Sequence, residues 1–322
     1  LPFYTSIPLL RYLIALRVNR GLARLPLCLA PELSLTLGAT IASRLPTRAA
    51  QPWRKALQVW DAHGGPNFIG KNKPNTLPEA AWPIEATLTA PPAKRAYATG
   101  ELVFWELKLL GDDADHLFFL ETILPALEQL GCQTEAPWHG RTTLWGRFDV
   151  FGVWAARGLA WEPLATEGEL NLRYRPTLTQ WAEGLPFEPP EGQALTRLTW
   201  AAPFDFGPTA NAEAAPSLAL IFEQLLRRLC RALPGKRQSV EQLWAMLDPD
   251  DQFALTDALG QATHVKLRHA ALEPAPQQWP GRWLGRQVFN ELPLATIPYL
   301  QLASILHLGA QTHLGCGAFW LE

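Results

Sequence analysis

The sequence predicts an α+β protein made of two similar halves, and three observations carry that expectation. Strand-like and helix-like segments run through the same order twice. Across the 322 residues, 29 prolines and 23 glycines cut the chain into short elements, which disfavours a helical bundle. Hydrophobic residues at 48% against charged residues at 18% supply apolar surface for two cores of ordinary size and exclude a disordered chain.

Leu9 to Val18 (LLRYLIALRV) has the apolar, β-branched character of a strand. From Ala30 to Leu45, leucines and isoleucine at 33, 37, 41 and 45 recur every fourth position, as on one helix face. Residues 53–62 repeat the helical pattern and end at His63-Gly64-Gly65, a helix stop. The following GGPNFIGKNKPN is a basic loop by composition. Leu102 to Leu110 reads as a strand, and Asp115 to Leu130 as a helix with acids in its first turn and Gly131 just past its end. Leu144 to Trp154 reads as a strand, and 156–192, rich in Pro, Gly and Glu, as an inter-domain region with room for a short hairpin.

The second cycle opens with a strand over Leu195 to Phe206 and a helix over Pro216 to Leu233, with the proline at its first position. A helical insert covers Val240 to Leu259. His264 to Leu272 and Trp283 to Phe289 form a strand pair, Ile297 to Leu308 is the last helix, and Ala318 to Leu321 the last strand. Strand, helix, strands, helix, strand is the split βαβ order of a ferredoxin-like (RRM-like) domain. The expected architecture is therefore two tandem ferredoxin-like domains with antiparallel sheets, one over 1–155 and one over 193–322, joined by 156–192.

The formal net charge of −2 hides a gradient: residues 1–75 hold ten Lys/Arg against Glu32 and Asp61, and the remainder is acidic. A basic face on an acidic protein is compatible with a polyanionic partner, and a merely solvated basic surface explains the gradient equally well. The four cysteines, Cys28, Cys132, Cys230 and Cys316, stand roughly a hundred residues apart, too far for a zinc knuckle or thioredoxin motif, and a reducing cytoplasm is expected. The stretch from Leu292 to Leu321 has no charge but is broken by prolines and glycines before it could span a membrane. The first apolar run is cut by arginines and does not look like a signal peptide. The chain starts at Leu1, as a trimmed protein or a piece of a longer polypeptide would. No Walker loop, hydrolase elbow or metal cluster is present in the sequence, so no cofactor and no metal are expected.

The last segment, Leu306-His307-Leu308-Gly309-Ala310-Gln311-Thr312-His313-Leu314-Gly315-Cys316-Gly317-Ala318-Phe319, resembles the C-terminal glycine-rich signature of CRISPR-associated endoribonucleases of the repeat-associated mysterious protein (RAMP) superfamily. Three further stretches agree in order: Gly100-Glu101-Leu102 with Leu110-Gly111; Leu127 to Gly131 with Gly140 and Phe148; and Leu195 to Phe206 with Leu225 to Leu229. The resemblance covers roughly residues 95–322. It departs from the family at Ala310-Gln311, where a lysine is frequent, and at Ala318, where Arg or Lys is frequent.

The resemblance implies metal-independent cleavage of precursor CRISPR RNA within its repeats. The 2′-hydroxyl attacks the adjacent phosphate, leaving a cyclic phosphate, and the enzyme stays bound to the mature guide. It implies a histidine as general base or acid after the first helical region, where His63 falls, with Lys71 stabilising charge at the phosphate and Lys73 beside it. It also implies RNA contacts at the glycine segment, through Gly309, Gln311, Thr312, His313, Gly315 and Gly317. Helix-dipole stabilisation is the plainer role for His63. His116, His139 and His307 carry no assigned role.

The cations expected to hold RNA are Arg11 and Arg17 on the first strand, Arg20 and Arg24 beyond it, Arg227, Arg228, Arg231, Lys236 and Arg237 at the end of the second-domain helix, and Lys266 and Arg268 on one side of a strand with His264. Trp53, beside Arg54 and Lys55, is a candidate stacking surface. Partners implied are CRISPR repeat RNA and other CRISPR effector subunits. Two alternatives remain: a non-catalytic subunit that grips the guide's 3′ hairpin, and the processing domain of a fusion protein.

Overall fold

The computed structural model describes residues 2–61, 81–90, 94–133, 141–187, 194–207, 215–235, 239–277 and 279–322. The first half runs β1 (Leu9–Val18), β2 (Ala23–Arg24), α1 (Ala30–Arg44), α2 (Thr47–Asp61), β3 (Ala86–Thr89), β4 (Ala96–Tyr97) and β5 (Leu102–Leu110). It continues with α3 (His116–Phe118), a π-helical turn, α4 (Leu124–Cys132), β6 (Phe148–Arg157), β7 (Ala160–Thr166) and β8 (Glu169–Leu170). The second half runs β9 (Arg197–Phe204), α5 (Leu218–Ala232), α6 (Val240–Met246), α7 (Pro249–His264), β10 (Leu267–Pro274), β11 (Trp283–Phe289), α8 (Ile297–Leu306) and β12 (Phe319–Leu321).

The sheet orders are β3-β5-β1-β6-β7-β8 and β10-β11-β9-β12, with every pairing antiparallel. In each, the first strand of the cycle lies between the third and the fourth, and the second is outermost. This is the ferredoxin-like order, present twice. β7 and β8 extend the first sheet past its fourth strand, and the boundary at 155 expected from sequence falls inside β6.

Alternation buries one face of each strand under helices. In β1, Tyr12, Ile14, Leu16 and Val18 enter the first core with Leu33, Leu37 and Ile41 of α1. The second core gathers Leu198, Phe222, Leu225, Leu229, Phe289 and Leu300. The cores trade residues: Leu314 packs into the first, while Phe3, Tyr4, Ile7, Leu9 and Leu110 pack into the second. Each half therefore contributes apolar side chains to the other's core.

Several sequence expectations shift. The second helix starts at Thr47 rather than 53. Gly131 lies inside α4, where a Cβ would sit 2.3 Å from the Phe148 carbonyl, so close packing rather than helix termination explains it. Ser217 caps α5 by accepting from Leu220 N–H, so Pro216 lies outside the helix. The insert is two helices, each N-capped, by Ser239 and Asp248. β3 and the β2–β4 ribbon were not expected. Among the described residues no helix is long and apolar enough to cross a membrane.

Candidate nucleic-acid interface

The glycine segment is built into the seam between the domains. Gly309, Gly315 and Gly317 have φ of +86°, +89° and +78°. A Cβ on Gly317 would lie 1.9 Å from the Leu308 carbonyl oxygen, and one on Gly315 2.8 Å from the Ala30 methyl of α1. Five of the segment's N–H groups are paired within the protein: Ala310 donates to Asp205, Leu314 to Gln311, Gly315 to Thr312, Cys316 to Gln311 and Gly317 to Pro203. Gln311, Thr312 and His313 are at most 6% exposed. The Gln311 carboxamide oxygen accepts from Gly281 N–H, and the edge of His313 meets Trp60 of α2. The RNA contacts that the resemblance implies at Gln311, Thr312 and His313 thus fall on buried side chains. The glycines make room for the protein's own carbonyls and methyl group, and the side chains at 311–313 point into packing.

Beside this segment a polar seam joins β1, β3 and β5 to α5 and the end of α8. Arg228, 4% exposed, donates to the Leu306 carbonyl at 3.1 Å, Glu85 Oε2 at 2.9 Å and Thr87 Oγ1 at 2.7 Å. Lys108 Nζ donates to the Ile305 carbonyl at 2.8 Å and to His307 Nε2 at 3.0 Å, so His307 is neutral with its proton on Nδ1. Burial lowers Lys108 to about 8, against the pull of Glu106. Burial and then the neighbouring Lys108 and Arg228 hold His307 well below its ordinary value. Burial, reinforced by Arg228 and Arg231, lowers His313 to about 3. Glu106 is raised by burial, but Lys108 and Arg11 outweigh that and hold its carboxyl below the usual range. Arg228, expected on an RNA face, is a buried clamp between the domains.

The exposed cations gather elsewhere, at the far end of β1. Three segments are tied into one knot there. Asn19 N–H donates to the Arg147 carbonyl, Leu25 N–H to the Arg95 carbonyl, and Thr143 N–H to the Arg24 carbonyl, each at 2.9 Å. Arg20 Nε donates to the Gly146 carbonyl at 2.8 Å, and Arg147 to the Leu22 carbonyl at 3.2 Å. The β2–β4 ribbon pairs Arg24 with Ala96. From beneath, the buried Glu32 in the first turn of α1 accepts the N–H groups of Arg141 and Thr142, both at 3.0 Å, and the Trp145 indole N–H at 3.3 Å. The result displays Arg17, Arg20, Arg24, Lys94, Arg95, Arg141 and Arg147, all exposed, against two carboxylates, Glu101 and Asp149. Lys94 pairs with Glu101, and Arg17 with Asp149 at 2.6 Å. Such a cluster concentrates positive potential on a protein of negative net charge.

The structure thus brings Arg17, Arg20 and Arg24 together and adds Lys94, Arg95, Arg141 and Arg147, which sequence reasoning missed. Arg11 stands six residues along β1, about 20 Å away, paired with Glu106 at 2.7 Å. Arg227 is exposed and paired with Glu223, and Arg231 is exposed on the same helix. Lys266 and Arg268 are exposed at the outer edge of the second sheet. His63, Lys71, Lys73, His139, Lys236 and Arg237 lie outside the described residues. Trp53 is 4% exposed and packs on Trp82 and Phe118, so it is core rather than a stacking surface. His116 Nδ1 shares a hydrogen bond with the Tyr12 hydroxyl at 3.0 Å.

Fold and surface together define a tandem ferredoxin-like protein with a localised basic knot. No protein-family model matches the sequence, and no curated protein matches it. Among solved structures, the chain is similar to a chain of a partial Cas6-RT-Cas1–Cas2 complex at 12% identity and a TM-score of 0.51, covering 98% of this chain and 46% of that one. A chain of a Cas6-RT-Cas1–Cas2 complex gives 12% identity and a TM-score of 0.51 over 98% of this chain and 28% of that chain. A Cas6 product complex gives 17% identity and a TM-score of 0.49, covering 98% of this chain and 100% of that one. The chain spans less than half the length of the first two, and the likeness is one of fold.

Proposed function

We propose that the chain is a CRISPR RNA-processing protein of the Cas6 type, an endoribonuclease that binds repeat RNA and cleaves it by 2′-hydroxyl attack on the adjacent phosphate. It holds the cleaved guide, works in the cytoplasm, and associates with other CRISPR subunits, as the chains of similar fold do in the Cas6-RT-Cas1–Cas2 complexes. The observation that carries this reading is the seven-cation knot on a tandem ferredoxin-like body. Phosphates are what such a cluster recognises, and RNA duplexes are gripped mainly through phosphates and 2′-hydroxyls. His63 is the general base or acid in this reading, and Lys71 stabilises the charge growing on the phosphorane.

The test is single-turnover cleavage of the organism's own repeat RNA in EDTA. We expect a product ending in a cyclic phosphate, and a rate roughly 10²–10⁴-fold lower for His63→Ala with affinity unchanged. One observation favours a second reading, a non-catalytic subunit that grips the guide hairpin: the glycine segment buries the side chains of Gln311, Thr312 and His313 and pairs five of its N–H groups internally. Tight repeat binding without cleavage at any pH selects that reading.

A further inference from the structure

One face of the first sheet is covered by its own helices; the second domain covers the other face around Thr87 and Lys108, and the rest of that face carries aromatic residues that neither core uses. Phe104, Phe151, Trp154 and Trp161 are absent from both apolar clusters, although Trp105, Phe148, Trp145 and Phe119 around them belong to the first. Register places them on one side. Phe104 of β5 pairs with Ala15 of β1, and Ala15 pairs with Gly152 of β6. Leu13, two residues from Ala15, pairs with Trp154, whose indole lies across Gly152: a Cβ there would be 2.5 Å from Trp154 Cη2. A register shift between Ala15 and Leu16 lets Phe151 share this face with Gly152. Ala15 and Gly152 thus form a floor of small residues between the rings of Phe104 and Trp154.

Two guanidiniums complete the surface. Arg17 lies 5.3 Å from the Phe151 ring centroid and Arg11 5.4 Å from that of Trp161. Each arginine gives N–H donors to a carboxylate, Arg17 to Asp149 and Arg11 to Glu106. Those bonds use the edge of the planar group, so its orientation is fixed while it stays against the ring. Phe104 is 42% exposed in the middle of a strand, a position where an aromatic ring gains little from its own fold. At the Arg17 end the face runs directly into the basic knot.

Resting on the RNA-binding reading above, we propose that this open sheet face is a stacking track for an unpaired, single-stranded segment of RNA, whose phosphates are held by the knot and whose bases stack on Phe104, Trp154 and Phe151. The occupant follows from complementarity. Flat rings interleaved with guanidiniums suit nucleobases, and the seven cations at one end suit a polyanion. Without base pairing, a strand can splay its bases onto a sheet, which a duplex cannot do. The surface adds a single-strand site to the hairpin grip expected of the protein.

The experiment compares two fluorescein-labelled probes by anisotropy, a 12-nucleotide oligoadenylate and the repeat hairpin trimmed of its flanks. Three proteins are measured on both: wild type, Phe104→Ala and Arg141→Ala/Arg147→Ala. Phe104→Ala should weaken oligoadenylate binding roughly 5- to 150-fold, the range for losing one stacked base, and leave the trimmed hairpin within about 2-fold. Phe104→Tyr should restore binding, and intrinsic tryptophan fluorescence should be quenched as oligoadenylate stacks on Trp154. The double arginine variant should weaken both probes. If Phe104→Ala binds oligoadenylate like wild type while the double variant weakens both probes, the stacking track is overturned and the RNA reading stands. If wild type binds neither probe, both fall. Because Phe104 is exposed and outside the cores, its truncation leaves the fold intact, and a thermal melt checks this.

Discussion

The glycine segment 309–317 and the arginine knot at the end of β1 sit on one molecule with opposite relations to solvent. The segment looks like a ligand loop in sequence and is almost wholly buried. The knot is scattered over three stretches of sequence and converges on the surface. Glycine reports that something must come close to the backbone, but not whether that atom is a phosphate oxygen or the chain's own carbonyl. Charge reports a surface, but only the fold decides which surface. If this contrast is right, substitutions in the first region change stability, and those in the second change binding.

The largest effect is expected at Gly317. Gly317→Val puts its Cβ 1.9 Å from the Leu308 oxygen and demands φ near +78° of a β-branched residue. We expect a loss exceeding about 4 kcal/mol, seen as a thermal midpoint lowered by ~10 °C or more, or as insoluble protein. Gly168 has φ of +86° with nothing within 4 Å of a Cβ. Gly168→Ala should therefore cost only about 1 kcal/mol, the strain without the collision. Equal losses at the two positions would show that backbone strain alone, not close packing, requires these glycines.

Next come Arg228 and its neighbour Arg227, adjacent in sequence and different in environment. Arg228→Ala leaves Glu85 and the Leu306 carbonyl without their partner inside the seam, and should cost about 3–5 kcal/mol. Arg227 pairs with Glu223 on an exposed helix face, so Arg227→Ala should cost at most about 1 kcal/mol. Urea unfolding of both variants checks the ratio, and similar losses would contradict the clamp.

A smaller effect is expected from pH. His307 and His313 are neutral in the fold, with folded values below the ordinary 6.5, His313 at about 3. Above pH 6.5 folded and unfolded chains carry the same protonation at these rings, and their full contribution is present. As pH falls below 6.5 the unfolded chain binds protons that the folded one refuses, so stability is lost progressively, down to about pH 3 for His313. At pH 5 this amounts to about 2 kcal/mol for His313. Thermal midpoints from pH 7.5 to 5 should drop, and His313→Gln should flatten part of the drop. An unchanged slope in that variant would mean His313 titrates normally.

The fold was largely legible and the surface was not. β1, β5 and β11 have the bounds expected from sequence, because apolar runs there end at charged, Gly or Asn residues. β3 escaped notice because Ala-Thr-Leu-Thr is only four residues long and neutral in pattern. Arg17, Arg20 and Arg24 stand close together in the chain, and the structure exposes them at one end of β1. Lys94, Arg95, Arg141 and Arg147 were missed because a ribbon of two residue pairs and one buried carboxylate bring them to the same place. Arg228 was misplaced because an arginine at the end of an amphipathic helix looks solvent-facing until the other domain is docked on it.

The smallest effect tests the carboxylate that holds the knot. Glu32 is 4% exposed, and burial raises its carboxyl above the ordinary value, against the hydrogen bonds from Thr142, Arg141 and Trp145. Glu32→Gln keeps the shape but leaves one accepting oxygen where three donors converge, so about 1–2 kcal/mol should be lost. The loss should be local. Amide hydrogen exchange should speed up at Arg141 and Thr142, and stay unchanged at Gly315 to Gly317, whose N–H groups bond to Thr312, Gln311 and Pro203. Binding to oligoadenylate should weaken, and the slope of log affinity against log salt should become shallower, by about 0.7 for each phosphate contact that Arg141 or Arg147 no longer makes. Faster exchange with an unchanged salt slope would mean that these two arginines reach no phosphate. An unchanged exchange rate would mean that Glu32 does not hold the knot at all.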